Sequence, residues 1–338
     1  MMSAAVLEQS GGPLLIRDVQ VPVPGAGELL VEVEACGVCH TDLHLRDGEE
    51  EAVAYPLILG HEGIGRVVAF GRETSSLFRL GDRVGFGWIY DTCLDCEECR
   101  TGHETTCLAQ RARGHGRDGA FAEYALVRES FAVPVNNDRD PVELAPWMCA
   151  GVTALAAIRK TELGPGTTCV IFGCGGLGLF AIGFAKQHGA RVVAVDLSDA
   201  KLAGARANGA DHLVLAGPQA GRGIRDLGGA EVFLNFAPSA AVWDTIIESA
   251  NPRSSVVFVA LTGDRIPLSM TWLIDGGHRL TGSSVGSRQD MRDALVLASR
   301  SAPLIDIERI SLTDVNGALD RLKAGRIKGR AVVDFSAE

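Results

Sequence analysis

Val170-Ile171-Phe172-Gly173-Cys174-Gly175-Gly176-Leu177-Gly178 joins a short apolar run to a glycine-rich turn. A helical stretch follows to His188, Gly189 is placed to stop it, and Arg191-Val192-Val193-Ala194-Val195-Asp196 is the next apolar run. Glycine-rich turns are common, so Gly-x-Gly-x-x-Gly alone says little. Here a strand precedes it, a helix follows, and an acidic residue closes the next strand, which is the arrangement that binds a dinucleotide. Gly173 permits the tight turn, Gly175 lets backbone approach a pyrophosphate, and Gly178 lets the helix pack closely on the sheet. Gly176 and Leu177 belong to the helix opening, whose unpaired N–H groups face phosphate. Asp196 is placed to accept bonds from the adenosine ribose hydroxyls, and its charge repels a 2′-phosphate. NAD is therefore expected over NADP, with Lys201 counted among the cofactor-binding residues.

Outward from this unit, further strands are expected at 212–215, 232–236, 256–260 and 280–285, with helical segments between several of them. Alternating strands and helices imply a doubly wound parallel sheet. Before residue 150 the texture differs. Pro22, Pro24, Gly25 and Gly27 punctuate a turn, and Glu28-Leu29-Leu30-Val31-Glu32-Val33-Glu34 then alternates with the period of a half-buried strand. Val67-Val68-Ala69-Phe70, Arg83-Val84-Gly85-Phe86 and residues 120–135 continue the theme, which reads as an irregular β-rich domain. Residues 288–325 read as helical, with Thr313-Asp314 as a cap, and 330–335 as a final strand. The fold class is α/β, with a β-rich domain of residues 1–149 and 289–338 and a Rossmann domain of residues 150–288.

A chain of 338 residues, 46% hydrophobic and 22% charged, suits two domains better than one core. No apolar run reaches the length of a membrane span. The start, Met1-Met2-Ser3-Ala4-Ala5-Val6-Leu7, lacks the basic and long apolar regions of a signal peptide, so a cytoplasmic location is expected. With 32 Lys and Arg against 42 Asp and Glu, the net charge of −10 disfavours nucleic acid and anionic lipid as partners.

Nine cysteines in such a chain suggest metal or redox chemistry. Cys93, Cys96, Cys99 and Cys107 crowd into one loop, where four thiolates close a tetrahedral zinc shell with no position left for chemistry. Two net negative charges on such a site suit structure and not Lewis acidity. A second group is Cys39-His40-Thr41-Asp42-Leu43-His44 with Gly60-His61-Glu62-Gly63. Cys39 and His61 are zinc ligands by type, and a catalytic site needs a third ligand and one open position. Cys149 is the chosen third, although spacing alone equally allows an ordinary buried cysteine. Two thiolates and an imidazole leave the zinc formally neutral, which preserves its Lewis acidity.

With these stretches, Cys149-Ala150-Gly151-Val152-Thr153 and Gly329-Arg330 added, the chain resembles the zinc-containing medium-chain alcohol dehydrogenases over nearly its whole length. The bacterial and yeast types are the most similar in flavour. The resemblance implies a GroES-like fold for the β-rich domain and two zinc ions per chain. Cys39, His61 and Cys149 would bind the catalytic one, with Glu62 beside it and Asp42 orienting His61. The four-cysteine loop would hold the structural one. Thr41 would hydrogen-bond the substrate oxygen and His44 would pass the proton to solvent. Arg330 and His40 would contact the cofactor pyrophosphate, and Trp88 would wall the substrate pocket. The implied reaction is reversible hydride transfer between a primary or secondary alcohol and NAD, giving an aldehyde or ketone. The implied partners are a small alcohol or aldehyde and other copies of the chain, a tetramer before a dimer. The loop Arg46-Asp47-Gly48-Glu49-Glu50-Glu51 departs from the family, whose members of this type often carry tryptophan there, and it would acidify or enlarge the pocket entrance. Two rivals are a reductase of bulky or aromatic aldehydes and a non-catalytic zinc module that grips nucleic acid. The acidic charge, and the absence of basic residues clustered with aromatics, count against the second. Cys36, Cys169 and Cys174 read as small buried hydrophobes, and His103, His115, His188, His212 and His278 receive no role.

Overall fold

The structure is a computed structural model and describes residues 1–49, 53–136, 138–300 and 305–337. The chain divides into two compact units. One holds Met1–Cys149, Ser287–Ser301 and Asp306–Glu338, and the other Ala150–Gly286 with Ala302–Ile305.

The second unit is built on six parallel strands. Across the sheet they run His212–Leu215, Arg191–Asp196, Thr168–Phe172, Ala230–Asn235, Ala250–Phe258 and Arg279–Gly282. Ranked by sequence this is 3-2-1-4-5-6, the order of a doubly wound dinucleotide-binding sheet. Thr168–Phe172 is buried at every position, as expected of a strand covered on both faces. The order reverses beside this strand, and the glycine turn sits at its carboxyl end. Gly173 takes φ +84°, which a side chain would strain, and the helix Gly176–Gln187 starts three residues later, with Gly175 at its N-cap. A Cβ on Gly178 would stand 1.9 Å from the carbonyl oxygen of Gly173, so this glycine is a packing requirement. The strand expected at 256–260 starts earlier, at Ala250. Its opening Ala250-Asn251-Pro252-Arg253 carries polar residues and a proline, which hides it from pattern reading. The last strand stops at Gly282, shorter than expected.

In the first unit the ten-residue strand Glu28–Gly37 is the centre. It pairs antiparallel with Glu62–Phe70, Tyr124–Arg128 and Arg330–Asp334, so widely separated segments meet on one strand. Arg83–Phe86 and Val133–Pro134 extend the sheet on one side, and Ile307–Ile310 on the other. Leu14–Val19, Met2–Leu7 and Leu57–Ile58 form a separate three-stranded sheet. Leu7, Leu29, Val31, Phe86 and Phe121 lie in the apolar core of this unit.

The expectation of helix through 288–325 needs correction. Two helices, Arg288–Arg300 and Val315–Lys323, flank the strand Ile307–Ile310, which runs parallel to Arg330–Asp334. Its charged residues conceal it, because Glu308 pairs with Arg321, and Arg309 with Asp334 and Asp140. Asp314 does occupy the N-cap, but its carboxylate binds Arg321 and not the helix backbone. Among the described residues no single helix is long and apolar enough to cross a membrane.

The two glycines of the turn make separable demands. Gly178→Ala is expected to destabilise the chain by about 1–3 kcal/mol, the usual cost of overpacking. A Cβ on Gly175 meets nothing within 4 Å, so Gly175→Ala should stay within about 0.5 kcal/mol of the parent. Urea denaturation of both variants checks the contrast, and equal losses would contradict it.

Candidate active site

The helix His40–Asp47 opens with Cys39 at its N-cap, in extended backbone. A capping box closes this end: the Cys39 N–H donates to Asp42 Oδ2 at 2.9 Å, and the Asp42 N–H turns to the Cys39 side chain. Asp42 is fully buried, and its other oxygen accepts the Gly60 N–H at 3.0 Å and lies 3.2 Å from His61 Nδ1. Gly60, at φ +93°, makes the turn that delivers His61 to this carboxylate. An ionised carboxylate only accepts, so Nδ1 carries the proton and Nε2 presents its lone pair. Nε2 is buried and has no hydrogen-bond partner.

Around that lone pair stand Cys39, Glu62 and Cys149, the ligating atoms of all four residues lying within 4.8 Å of one another. The two sulfurs are 4.0 Å apart. Zinc–sulfur bonds of the usual length in a tetrahedron space two sulfurs by about 3.8 Å. Cys149 reaches the cluster from the end of the 3-10 turn Ala145–Met148. Glu62 opens the strand Glu62–Phe70 opposite Gly37, where a Cβ would stand 1.9 Å from Glu62 Oε2. Arg330 donates from Nη2 to Glu62 Oε1, while Glu62 Oε2 is left without a hydrogen-bond partner.

The electrostatics ask for a cation. The hydrogen bond from Cys149 holds the Cys39 thiol well below its ordinary range, and Cys39 together with burial pushes Cys149 well above it. Two neighbouring thiols cannot both ionise in a buried site without added positive charge. Burial favours a neutral His61, yet the Asp42 carboxylate and Cys39 raise the ring well above its usual range. Burial pushes Glu62 up to about 7 against the opposing pull of Arg330, with Cys39 adding to the rise. Burial works against the charge on Arg330, but Glu62 and the two thiols outweigh it and raise the group. An unpartnered imidazole nitrogen, paired sulfurs and a nearby carboxylate suit a divalent ion of zinc's ligand preference.

The second group is Cys93, Cys96, Cys99 and Cys107, whose sulfurs also lie within 4.8 Å of one another. Cys93 is 3.8 Å from Cys99 and 3.6 Å from Cys107. The Cys96 N–H points at Cys93 Sγ at 3.3 Å, and backbone N–H groups of Asp95 and Cys96 pull the Cys93 thiol down to about 6. Sulfurs at tetrahedral separation, one of them already served by backbone donors, fit a closed zinc shell.

The remaining expected residues fall as follows. Thr41 Oγ1 lies 3.9 Å from Cys39 Sγ, and His40 is the exposed first residue of the same helix. His44, one turn beyond His40, has Nδ1 2.5 Å from Glu49 Oε2. The Trp88 ring stands edge-on to His61 with centroids 5.3 Å apart. In the second unit, Asp196 accepts the Cys174 N–H at 2.7 Å and the Ser198 N–H at 3.0 Å, which fixes its carboxylate at the end of its strand. The Lys201 N–H reaches Ser198 Oγ at 3.4 Å, placing Lys201 in the first turn of the next helix. Of the departing acidic loop, Glu50 and Glu51 lie outside the described residues. Asp47 turns to Arg46 and Lys323.

Sequence reading missed three partners. Arg330 grips Glu62, His115 packs its ring against Trp88 at 6.1 Å, and the fully buried Arg113 lies over Phe86 and Tyr90. None of these pairs is near in sequence, so no local pattern marks them. The Glu49 contact differs, because Gly48 after a helical run signals a turn that folds the next residue back on the helix.

Residues 25–137 match the alcohol dehydrogenase GroES-like domain, and residues 176–300 match the zinc-binding dehydrogenase family. Alcohol dehydrogenase 2 of Caenorhabditis elegans is 41% identical over 341 residues, covering 99% of this chain and 97% of that protein. The alcohol dehydrogenase of the archaeon Aeropyrum pernix superposes with a TM-score of 0.90 at 30% identity, over 98% of this chain and 99% of that one. Acetophenone reductase of Geotrichum candidum, solved in complex with NAD, gives 0.89 at 27% identity, over 100% and 98%. A buried thiolate–imidazole cluster, a four-cysteine loop and a doubly wound dinucleotide sheet in one chain agree with these matches: the chain belongs to the zinc-containing medium-chain alcohol dehydrogenases.

Proposed function

We propose that the chain oxidises a primary or secondary alcohol to an aldehyde or ketone, reversibly, with NAD as the hydride acceptor. One observation carries this reading: the unpartnered His61 Nε2 faces two sulfurs 4.0 Å apart, in the buried pocket that also holds Glu62 and Arg330. Cys39, His61 and Cys149 hold a catalytic zinc, whose contribution is to make the alcohol hydroxyl more acidic. Asp42 keeps His61 in the tautomer that presents Nε2. Glu62 stands beside the ligands, restrained by Arg330. Thr41 Oγ1 hydrogen-bonds the alcohol oxygen and takes up its proton as it passes its own hydroxyl proton onward, and His44 delivers a proton to solvent. Trp88 walls the pocket, excluding water from the reacting carbon.

The cofactor belongs to the other set of residues. Gly173, Gly175, Gly176, Leu177 and Gly178 cradle the pyrophosphate, and Asp196 and Lys201 hold the adenosine ribose region. NAD supplies the hydride acceptor. Space for a Cβ on Gly175 supports this, since nothing in the chain uses the volume that glycine leaves. Residues 1–149 and 289–338 then form the catalytic domain and 150–288 the dinucleotide-binding domain. Cys93, Cys96, Cys99 and Cys107 hold the structural zinc. The enzyme works in the cytoplasm as a homo-oligomer, a tetramer before a dimer, which light scattering of the purified protein tests directly.

Metal analysis of the purified chain should find about two zinc ions, as a closed and an open site require. Cys149→Ser should lose one of them and all turnover while the fold stays intact. A variant with both ions retained would remove Cys149 from the ligand set. His44→Gln is expected to slow alcohol oxidation near neutral pH by roughly tenfold or more with zinc still bound. Parent-like rates would end the proton-carrier reading. Asp196→Gly should raise the ratio of NADP to NAD efficiency by roughly tenfold or more, because a repelling charge is removed. An unchanged ratio would take Asp196 out of cofactor selection.

A further inference from the structure

The helix that carries Cys39, Thr41 and His44 ends in a turn that brings a carboxylate onto His44. Gly48 is left-handed at φ 77° and ψ 27°, and its N–H bonds to Leu45 O at 3.3 Å. The Glu49 N–H bonds to His44 O at 2.9 Å. This pair of bonds is a Schellman motif, which lays the residue after the glycine against the third residue from the helix end. Those two side chains are commonly apolar and touch. Here they are Glu49 and His44, with Oε2 and Nδ1 2.5 Å apart. The other charges of the turn are engaged elsewhere: Arg46 pairs with Asp320 and Asp47, and Asp47 also pairs with Lys323. A carboxylate accepts and does not donate, so the shared proton belongs to Nδ1. The neutral ring then carries its lone pair on Nε2.

We propose that Glu49 is a positioning residue for His44, holding the ring in one orientation and in the Nδ1–H tautomer so that Nε2 receives the proton released in alcohol oxidation. The inference rests on the reading of His44 as proton carrier. The alcohol O–H bond breaks as its proton enters the chain of hydroxyls that begins at Thr41, the last hydroxyl of that chain gives its own proton to Nε2, and the ring becomes an imidazolium facing the Glu49 carboxylate. Nε2 then gives a proton to water, and the neutral ring returns to the same tautomer. Glu49 itself neither gains nor loses a proton.

The test uses the zinc-loaded enzyme with NAD and benzyl alcohol, and the variants Glu49→Leu, Glu49→Gln, His44→Gln and the double variant Glu49→Leu with His44→Gln. Both side chains are partly open to solvent, so Glu49→Leu is expected to lower kcat by about three- to tenfold, with KM and zinc content unchanged. Long-range proton–nitrogen spectra of histidine-labelled protein, with the His44 signals assigned by their loss in His44→Gln, should show the Nδ1–H pattern replaced by a mixture of tautomers. Glu49→Gln keeps an oxygen that accepts from Nδ1–H and should retain the tautomer and most of kcat. In the His44→Gln background, Glu49→Leu should add nothing. Parental kcat with an unchanged tautomer in Glu49→Leu overturns the inference while leaving His44 in its role. A further fall in the double variant also overturns it, by showing that Glu49 acts elsewhere. Parental turnover in His44→Gln removes the carrier reading and this inference together.

Discussion

One buried carboxylate organises the site. Asp42 accepts from the N–H of Cys39, from the N–H of Gly60 and from the ring of His61, and so joins a helix cap, a turn and a side chain through two oxygen atoms. A buried ionised group of this kind is stable only while its donors stay in place. Removing one partner of such a network costs roughly 3–5 kcal/mol. The same bonds that satisfy the Asp42 carboxylate therefore fix where Cys39 and His61 stand. Local folding and ligand placement are a single constraint here, which is why a cap residue that is usually serine, threonine, aspartate or asparagine is cysteine.

The charge balance extends that constraint outward. Cys39, Cys149, Glu62 and Asp42 are all buried, and the guanidinium bound to this group is that of Arg330. Arg330 alone does not neutralise the group, and it is committed to Glu62. The deficit appears as a thiol pushed down beside a thiol pushed up, an imidazole raised despite its burial, and a carboxyl raised to about 7. A divalent ion at His61 Nε2 relieves all four at once. The sheet supports this arrangement, since Glu28–Gly37 runs into Cys39, pairs with the strand that begins at Glu62, and pairs on its other flank with the strand that begins at Arg330.

What could be read in the sequence follows from how local each feature is. The four-cysteine loop and the glycine turn are legible because every residue they need lies within one short segment. The strands around the glycine turn are legible for a related reason: a strand buried on both faces is apolar throughout. Ile307–Ile310 was not legible, because its two charged residues are satisfied by Arg321, Asp334 and Asp140, which only the folded chain brings near. Cys149 shows the same limit at the site. Its spacing from Cys39 and His61 carries no information, and only the fold sets its sulfur 4.0 Å from Cys39. The grip of Arg330 on Glu62 is likewise a product of strand pairing and not of sequence distance.

The eight-residue helix His40–Asp47 then explains why so much chemistry gathers in so short a segment. Its first turn leaves N–H groups that need acceptors, and Asp42 and Cys39 answer them as a cap while turning toward the metal position. Its last turn leaves carbonyls that need donors, and Gly48 and Glu49 answer those while setting a carboxylate on His44. Thr41 and His44 lie between the two ends, three residues apart and so on neighbouring surface of the helix. Both ends of a short helix must be satisfied for it to persist at all, because so few residues cannot hold it by propensity. The residues that satisfy them are held by those bonds, and two of them, Cys39 and Glu49, are also the residues that face the Cys149 sulfur and the His44 ring.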